Sequence, residues 1–121
     1  MEWREFTTKE YPELLRGNLG CSIAGAWGPI VKEALDQLEI LRANGVDIRV
    51  MQIKEKFGGL RIYTKGKDWE AAIPIIEQAQ NTAANTCCVC GSTEDVMRGY
   101  REKNSGWVLN LCKEHRYSDP S

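Results

Sequence analysis

"VDIRVMQIKEKFGGLRIYTKGK", residues 46–67, decides the fold. Apolar and charged residues alternate on either side of Gly58-Gly59. Gly-Gly is one of the pairs that tolerate the positive φ angles of a two-residue hairpin turn. With that pair as the turn, Phe57 pairs with Leu60, Lys56 with Arg61 and Lys54 with Tyr63. Strand side chains point alternately to opposite faces. Met51, Ile53, Phe57, Leu60 and Ile62 are therefore expected on one side of the hairpin, and Gln52, Lys54, Lys56, Arg61, Tyr63 and Lys65 on the other. Glu55 lands among the apolar residues and ought to need a partner there.

The alternation also explains the charge distribution. Residues 49–67 carry six Lys/Arg against one Asp/Glu, in a chain whose net charge is −1. Everything else is neutral or acidic, which argues against indiscriminate nucleic-acid binding and confines any cationic surface to one face of this hairpin. Two helices flank it. "PIVKEALDQLEILRANG" places Ile30, Ala34, Leu38 and Leu41 on one stripe with Val31 and Leu35 beside it. Pro29 suits its start and Gly45, behind Asn44, its exit. "DWEAAIPIIEQAQNTAAN" reads as a second helix with Asp68 as a possible cap and Ile73, Ile76, Ala79 (or Gln80) and Ala83 in register. Pro74 requires that this helix either begin close by or kink there. Upstream, "TTKEYPELLRG" suits a short helix capped at Thr8 and ending at Gly17, but limited by Pro12. The glycine-rich "GNLGCSIAGAWG" lacks the Lys-Ser or Lys-Thr of a phosphate loop and reads as a tight connection, with Cys21 a small buried side chain.

Beyond the second helix, "TCCVCG" (residues 86–91) and "LCKEH" (residues 111–115) hold four of the five cysteines and the one histidine. Cys87, Cys90, Cys112 and His115 form C-x-x-C, a 21-residue gap, and C-x-x-H. Zinc takes four such ligands in a tetrahedron, and two short-spaced pairs supply them from two segments. Gly91 suits the knuckle that follows the first pair. Between the pairs, "VMRGYREKNSGWVLNL" reads as a hairpin turning at "KNSG", and "CKEHRY" as a short terminal helix. Cys88 is too close to Cys90 for the usual knuckle and is left as core or substitute ligand. The expected fold is α+β: two helices packed on a β-hairpin, with a C-terminal treble-clef or ribbon-like zinc hook. Residues 1–86 form the core and residues 87–121 the hook, packed as part of one domain.

The same residues restrict the chemistry. Four protein ligands leave a metal no open position for water, and no second histidine exists to move protons. The His-x-Glu of a zinc deaminase is absent, as are the additional histidines of His-Asn-His nucleases and any Ser-His-Asp or Cys-His pair. A structural zinc and no enzymatic activity are expected. The charged start "MEWREFTTKE" is no signal peptide, no apolar run approaches the roughly 20 residues of a membrane span, and clustered cysteines in odd number suit a reducing cytoplasm.

"QIKEKFGGLRIY", followed at a helix's distance by "CCVCG", then "GW" and "LCKEH", resembles a group of small phage and prophage zinc-binding proteins. The resemblance spans residues 27–115. It implies zinc held by Cys87, Cys90, Cys112 and His115, with Lys54, Lys56 and Arg61 as hairpin residues without assigned roles, and it implies a phage origin more than an activity. Two functions fit. One is an accessory protein, an inhibitor or adaptor that binds a host or defence protein. Trp3, Trp27, Trp69 and Trp107 are its candidate anchors wherever they are not core. The other is recognition of nucleic acid or a phosphate-containing signalling nucleotide by Lys54, Lys56, Arg61, Tyr63 and Lys65, with Tyr63 available to stack a base.

Overall fold

The computed structural model describes residues 10–101 and 108–117. Its centre is a mixed three-stranded sheet in the order β1 (Cys21–Ser22), β2 (Arg49–Lys56), β3 (Gly59–Lys65). Helix α1 (Gly28–Ala43) precedes β2, and helix α2 (Ile73–Ala84) follows β3. A second, two-stranded sheet pairs β4 (Met97–Gly99) with β5 (Leu109–Leu111) in antiparallel fashion. The α+β architecture expected from the sequence is thus present, with the cysteine and histidine cluster at its carboxy-terminal end.

The hairpin forms with its turn one residue earlier than expected. Phe57 (φ 52°) and Gly58 (φ 80°) are its central residues, as a type I′ turn requires, and Lys56 pairs with Gly59. Pairing accordingly shifts by two: Glu55 faces Leu60, Lys54 faces Arg61 and Gln52 faces Tyr63. The physical reason lies outside the hairpin. A Cβ on Gly58 would sit 2.8 Å from the carbonyl oxygen of Val108, so only glycine lets the second sheet approach the turn this closely. Phe57 is therefore not on the core face; its ring is 75% exposed.

A bulge between Val50 and Gln52 makes the second departure. With Met51 as the extra residue, Val50 and Ile53 both point inward and are fully buried, and Arg49 comes opposite Lys65. Simple alternation had put Met51 on the apolar face; it is half-buried. The glycine-rich connection also does more than turn. Leu19 donates its amide to Met51, Gly20 accepts from Ile53, and Asn18 reaches the Val50 carbonyl at 2.9 Å. These bonds lay β1 parallel to β2, so β2 is central rather than an edge.

Helix α1 buries Val31, Ala34, Leu35 and Leu38, the i, i+3, i+4, i+7 stripe of an amphipathic helix, with Ile30 and Leu41 at its margins. Helix α2 begins at Pro74's own turn, after a 3₁₀ segment Trp69–Ala72, so no kink is needed. Asp68 does not cap it; its carboxylate instead accepts the Asp47 amide at 2.8 Å. Trp27 is buried, whereas Trp69 is half exposed; Trp3, Trp107, the Thr8 cap and the "KNSG" turn lie outside the described residues. Among the described residues, no helix is long and apolar enough to cross a membrane.

Candidate metal centre and cationic face

The first ligand pair is delivered by the end of α2. Trp27, at the foot of α1, donates its indole N–H to the Thr86 carbonyl at 3.1 Å, and the Thr86 hydroxyl bonds back to Thr82. Cys87 follows immediately. A knuckle closes through Gly91, whose amide meets the Cys87 carbonyl at 2.9 Å and whose φ of 81° is a conformation glycine adopts freely. The second pair comes from the end of β5. Cys112 accepts backbone bonds from His115 (3.1 Å) and Arg116 (3.0 Å). This is a single turn, not the terminal helix expected over "CKEHRY".

Together the two turns bring the ligand atoms of Cys87, Cys90, Cys112 and His115 within 4.8 Å of one another, so these residues could hold a metal ion. Two edges of the cluster, Cys90 Sγ to Cys112 Sγ at 3.8 Å and Cys87 Sγ to His115 Nδ1 at 3.7 Å, are those of a coordination tetrahedron. Cys112 Sγ and His115 Nδ1 lie closer, at 3.2 Å. Burial alone would push the Cys87 thiol up, but the amides of Cys112, Cys90 and Val89 aimed at its sulfur bring it down to about 6. A thiolate is the form that binds metal. Cys87 and Cys112 are buried, His115 is half-buried and Cys90 faces solvent.

Cys88 is not one of the four clustered residues and is buried in the core. Its amide bonds to the carbonyl of Asn110, a buried residue whose side chain in turn donates to the Gly58 carbonyl at 2.5 Å. Asn110 thereby ties the ligand-bearing strand to the hairpin turn. Nothing in its sequence context distinguished it. Arg116 braces the second turn from outside, reaching the Asp95 and Leu111 carbonyls at 3.2 and 3.3 Å.

The other candidate surface is the side of the main sheet turned away from Ile53, Leu60 and Ile62. It carries Gln52, Lys54 and Lys56 from β2 with Arg61, Tyr63 and Lys65 from β3, all exposed or half-exposed. Lys54 lies over the Tyr63 ring at 5.5 Å and Lys56 over the Phe57 ring at 5.9 Å. The bulge adds Arg49, which alternation alone had missed. The signal was there: Val50 and Ile53 can both face inward only if an extra residue stands between them. Two cross-strand pairs, Lys54 with Arg61 and Arg49 with Lys65, thus set like charges directly opposite. Like charges set directly opposite each other destabilise a hairpin. Among the described residues, none of these cations forms an ion pair with an acid.

Against family models, curated proteins and solved structures, the chain finds no match.

Proposed function

We propose that the chain is a non-enzymatic binding module, stapled by one structural zinc ion, whose working surface is the cationic open face of the main sheet. The observation that carries this reading is the pair of like-charge registers, Lys54–Arg61 and Arg49–Lys65, on an otherwise acidic chain. Unneutralised charge that weakens its own hairpin has its compensation in an anionic ligand.

Zinc is supported by the donor set. Three sulfurs and one imidazole nitrogen suit it, and Zn–S bonds of about 2.3 Å with Zn–N bonds of about 2.0–2.1 Å give tetrahedral edges near 3.8 and 3.6 Å. With four protein ligands the ion has no vacant position, so it organises the fold around it. A phage accessory role accommodates this module. Docking on a host or defence protein is the competing reading, and Phe57 favours it, an exposed aromatic held at positive φ where a turn prefers glycine or asparagine. Against that, the other large exposed apolar and aromatic residues outside the cationic face, Leu19, Ile40, Trp69, Ile73, Met97, Tyr100 and Tyr117, fall in several separate segments of the chain.

Retention on immobilised heparin tests the anion-binding reading. The protein should bind at low salt despite its net charge of −1, and the Lys54→Ala/Arg61→Ala double variant should elute in the void. Passage of the unaltered protein straight through the column at about 50 mM salt would sink the proposal.

A further inference from the structure

The cationic face has an internal order that a general anion site would not need. Along β3, Arg61, Tyr63 and Lys65 share one face, so cation, aromatic and cation follow at intervals of about 7 Å. The cross-strand partners double the ends of this series: Lys54 stands opposite Arg61 and Arg49 opposite Lys65, while the neutral Gln52 stands opposite Tyr63. Tyr63 in the middle is 40% exposed, with the Lys54 ammonium 5.5 Å from its ring centroid. Lys56 extends the cationic row toward the turn.

We propose that this face binds single-stranded nucleic acid, with the two cation pairs meeting successive phosphates and Tyr63 stacking an unpaired base between them; this rests on the anion-binding reading above. The alternation of charge and ring matches the alternation of phosphate and base along an extended nucleotide chain, whose repeat is close to two residues of a β-strand. A duplex presents phosphates but no open base face, so the aromatic at the centre selects the single strand. An acidic peptide would satisfy the cations and leave Tyr63 and Gln52 without a role.

The test is fluorescence anisotropy of end-labelled 12-residue oligonucleotides, DNA and RNA, single-stranded and duplex, on the metal-loaded full chain. Single strands in at least one sugar form should bind at about 50 mM salt, with log affinity falling by roughly 0.7 per phosphate contact against log salt. Tyr63→Ala should weaken single-strand binding about tenfold or more and leave heparin retention unchanged, while Tyr63→Phe keeps both. Lys54→Ala/Arg61→Ala should weaken both and reduce the salt slope by about 1.4. Equal affinity for duplex and single strand, or indifference to Tyr63→Ala, overturns the single-strand proposal while leaving a heparin-binding face intact. Absence of any oligonucleotide binding, with acidic peptides bound instead, overturns it as well. Thermal melts of each variant check that the fold is retained.

Discussion

The body of the protein and its carboxy-terminal hook differ in how much apolar side chain they bury. The body, β1 to α2, buries Trp27, Val31, Leu35, Leu38, Ile48, Val50, Ile53 and Leu60 in one cluster, enough apolar surface to close a small core. Among the described residues, the hook (87–101 and 108–117) sends only Leu111 and the thiols of Cys87, Cys88 and Cys112 into that cluster as buried side chains, and it leaves Met97, Tyr100 and Tyr117 exposed. Its strands are three residues each. A two-stranded ribbon of that length does not stand alone in water. With so little burial of its own, the hook has its source of stability, on the zinc reading proposed above, in coordination by Cys87, Cys90, Cys112 and His115, which gather at the end of the ribbon where Met97 faces Leu111.

Removal of the metal is the strongest way to break this comparison. Structural zinc contributes an apparent binding free energy of about 10–16 kcal/mol in small peptides, well above anything else available to the hook. Cys112→Ser, or a strong chelator on the unaltered protein, should abolish amide-exchange protection in residues 87–117 while β2, β3 and α1 keep theirs. Elemental analysis of the unaltered protein should give one zinc per chain. Simultaneous loss of protection throughout would mean that the two regions are a single cooperative unit and that the contrast is false.

A smaller effect is expected at the seam. Asn110 is buried, and its side-chain amide satisfies the Gly58 carbonyl beneath Val108. Asn110→Ala leaves that carbonyl without its donor, a loss of about 1–3 kcal/mol by denaturant titration. The hook should also release metal to a chelator faster. Should the loss be only a few tenths, the metal and the packing of Leu109 and Leu111 suffice to seat the hook, and the hydrogen bond is incidental.

The seam is also where the sequence was least legible. Periodicity gave both helices and the sides taken by Ile53, Leu60 and Ile62 and by Lys54, Arg61 and Tyr63, but not those of Arg49, Met51 and Phe57, which the bulge and the turn decide. Spacing pointed to the four residues that the fold brings within reach of one metal ion, because two-residue gaps let neighbouring side chains converge on one point. The turn position was not readable, since Gly58-Gly59 satisfies local rules better than Phe57-Gly58 does. The close approach of Val108, 50 residues away, accompanies the other choice. The bulge at Met51 and the parallel strand at Cys21 likewise depend on what packs against them; the two-residue β1 has no periodicity of its own.

Phe57 tests whether that override carries a cost. A non-glycine residue in the left-handed region is disfavoured by about 1–2 kcal/mol, and asparagine tolerates it best. Phe57→Asn should therefore raise stability by about 0.5–1 kcal/mol, seen as a higher denaturation midpoint. A gain would mean that the ring is kept against the turn's preference, for a contact outside the fold. A loss would mean that the ring, despite its exposure, helps to seat the hook.

The smallest expected effect separates the two regions by charge. Glu55 lies on the inner side of β2, opposite Leu60 and within electrostatic reach of the buried Cys88, and its burial raises its carboxyl above the ordinary range. Among the described residues it has no hydrogen-bond or ion-pair partner. The unfolded chain then loses this proton first as pH rises, so the native state holds more protons between the ordinary carboxylate value and the raised one. Stability falls with rising pH through that window, and the ionised form is a burden at neutral pH. Glu55→Gln keeps the shape and removes the charge. Because the group is partly solvated and screened, the gain at pH 7 should be about 0.5 kcal/mol, vanishing below about pH 4, where both side chains are neutral. A variant less stable than the parent at pH 7 would mean that the carboxylate engages a cation across the seam. Body and hook would then be joined by an ion pair as well as by Asn110, and the division between a burial-held region and a coordination-held one would need a third term.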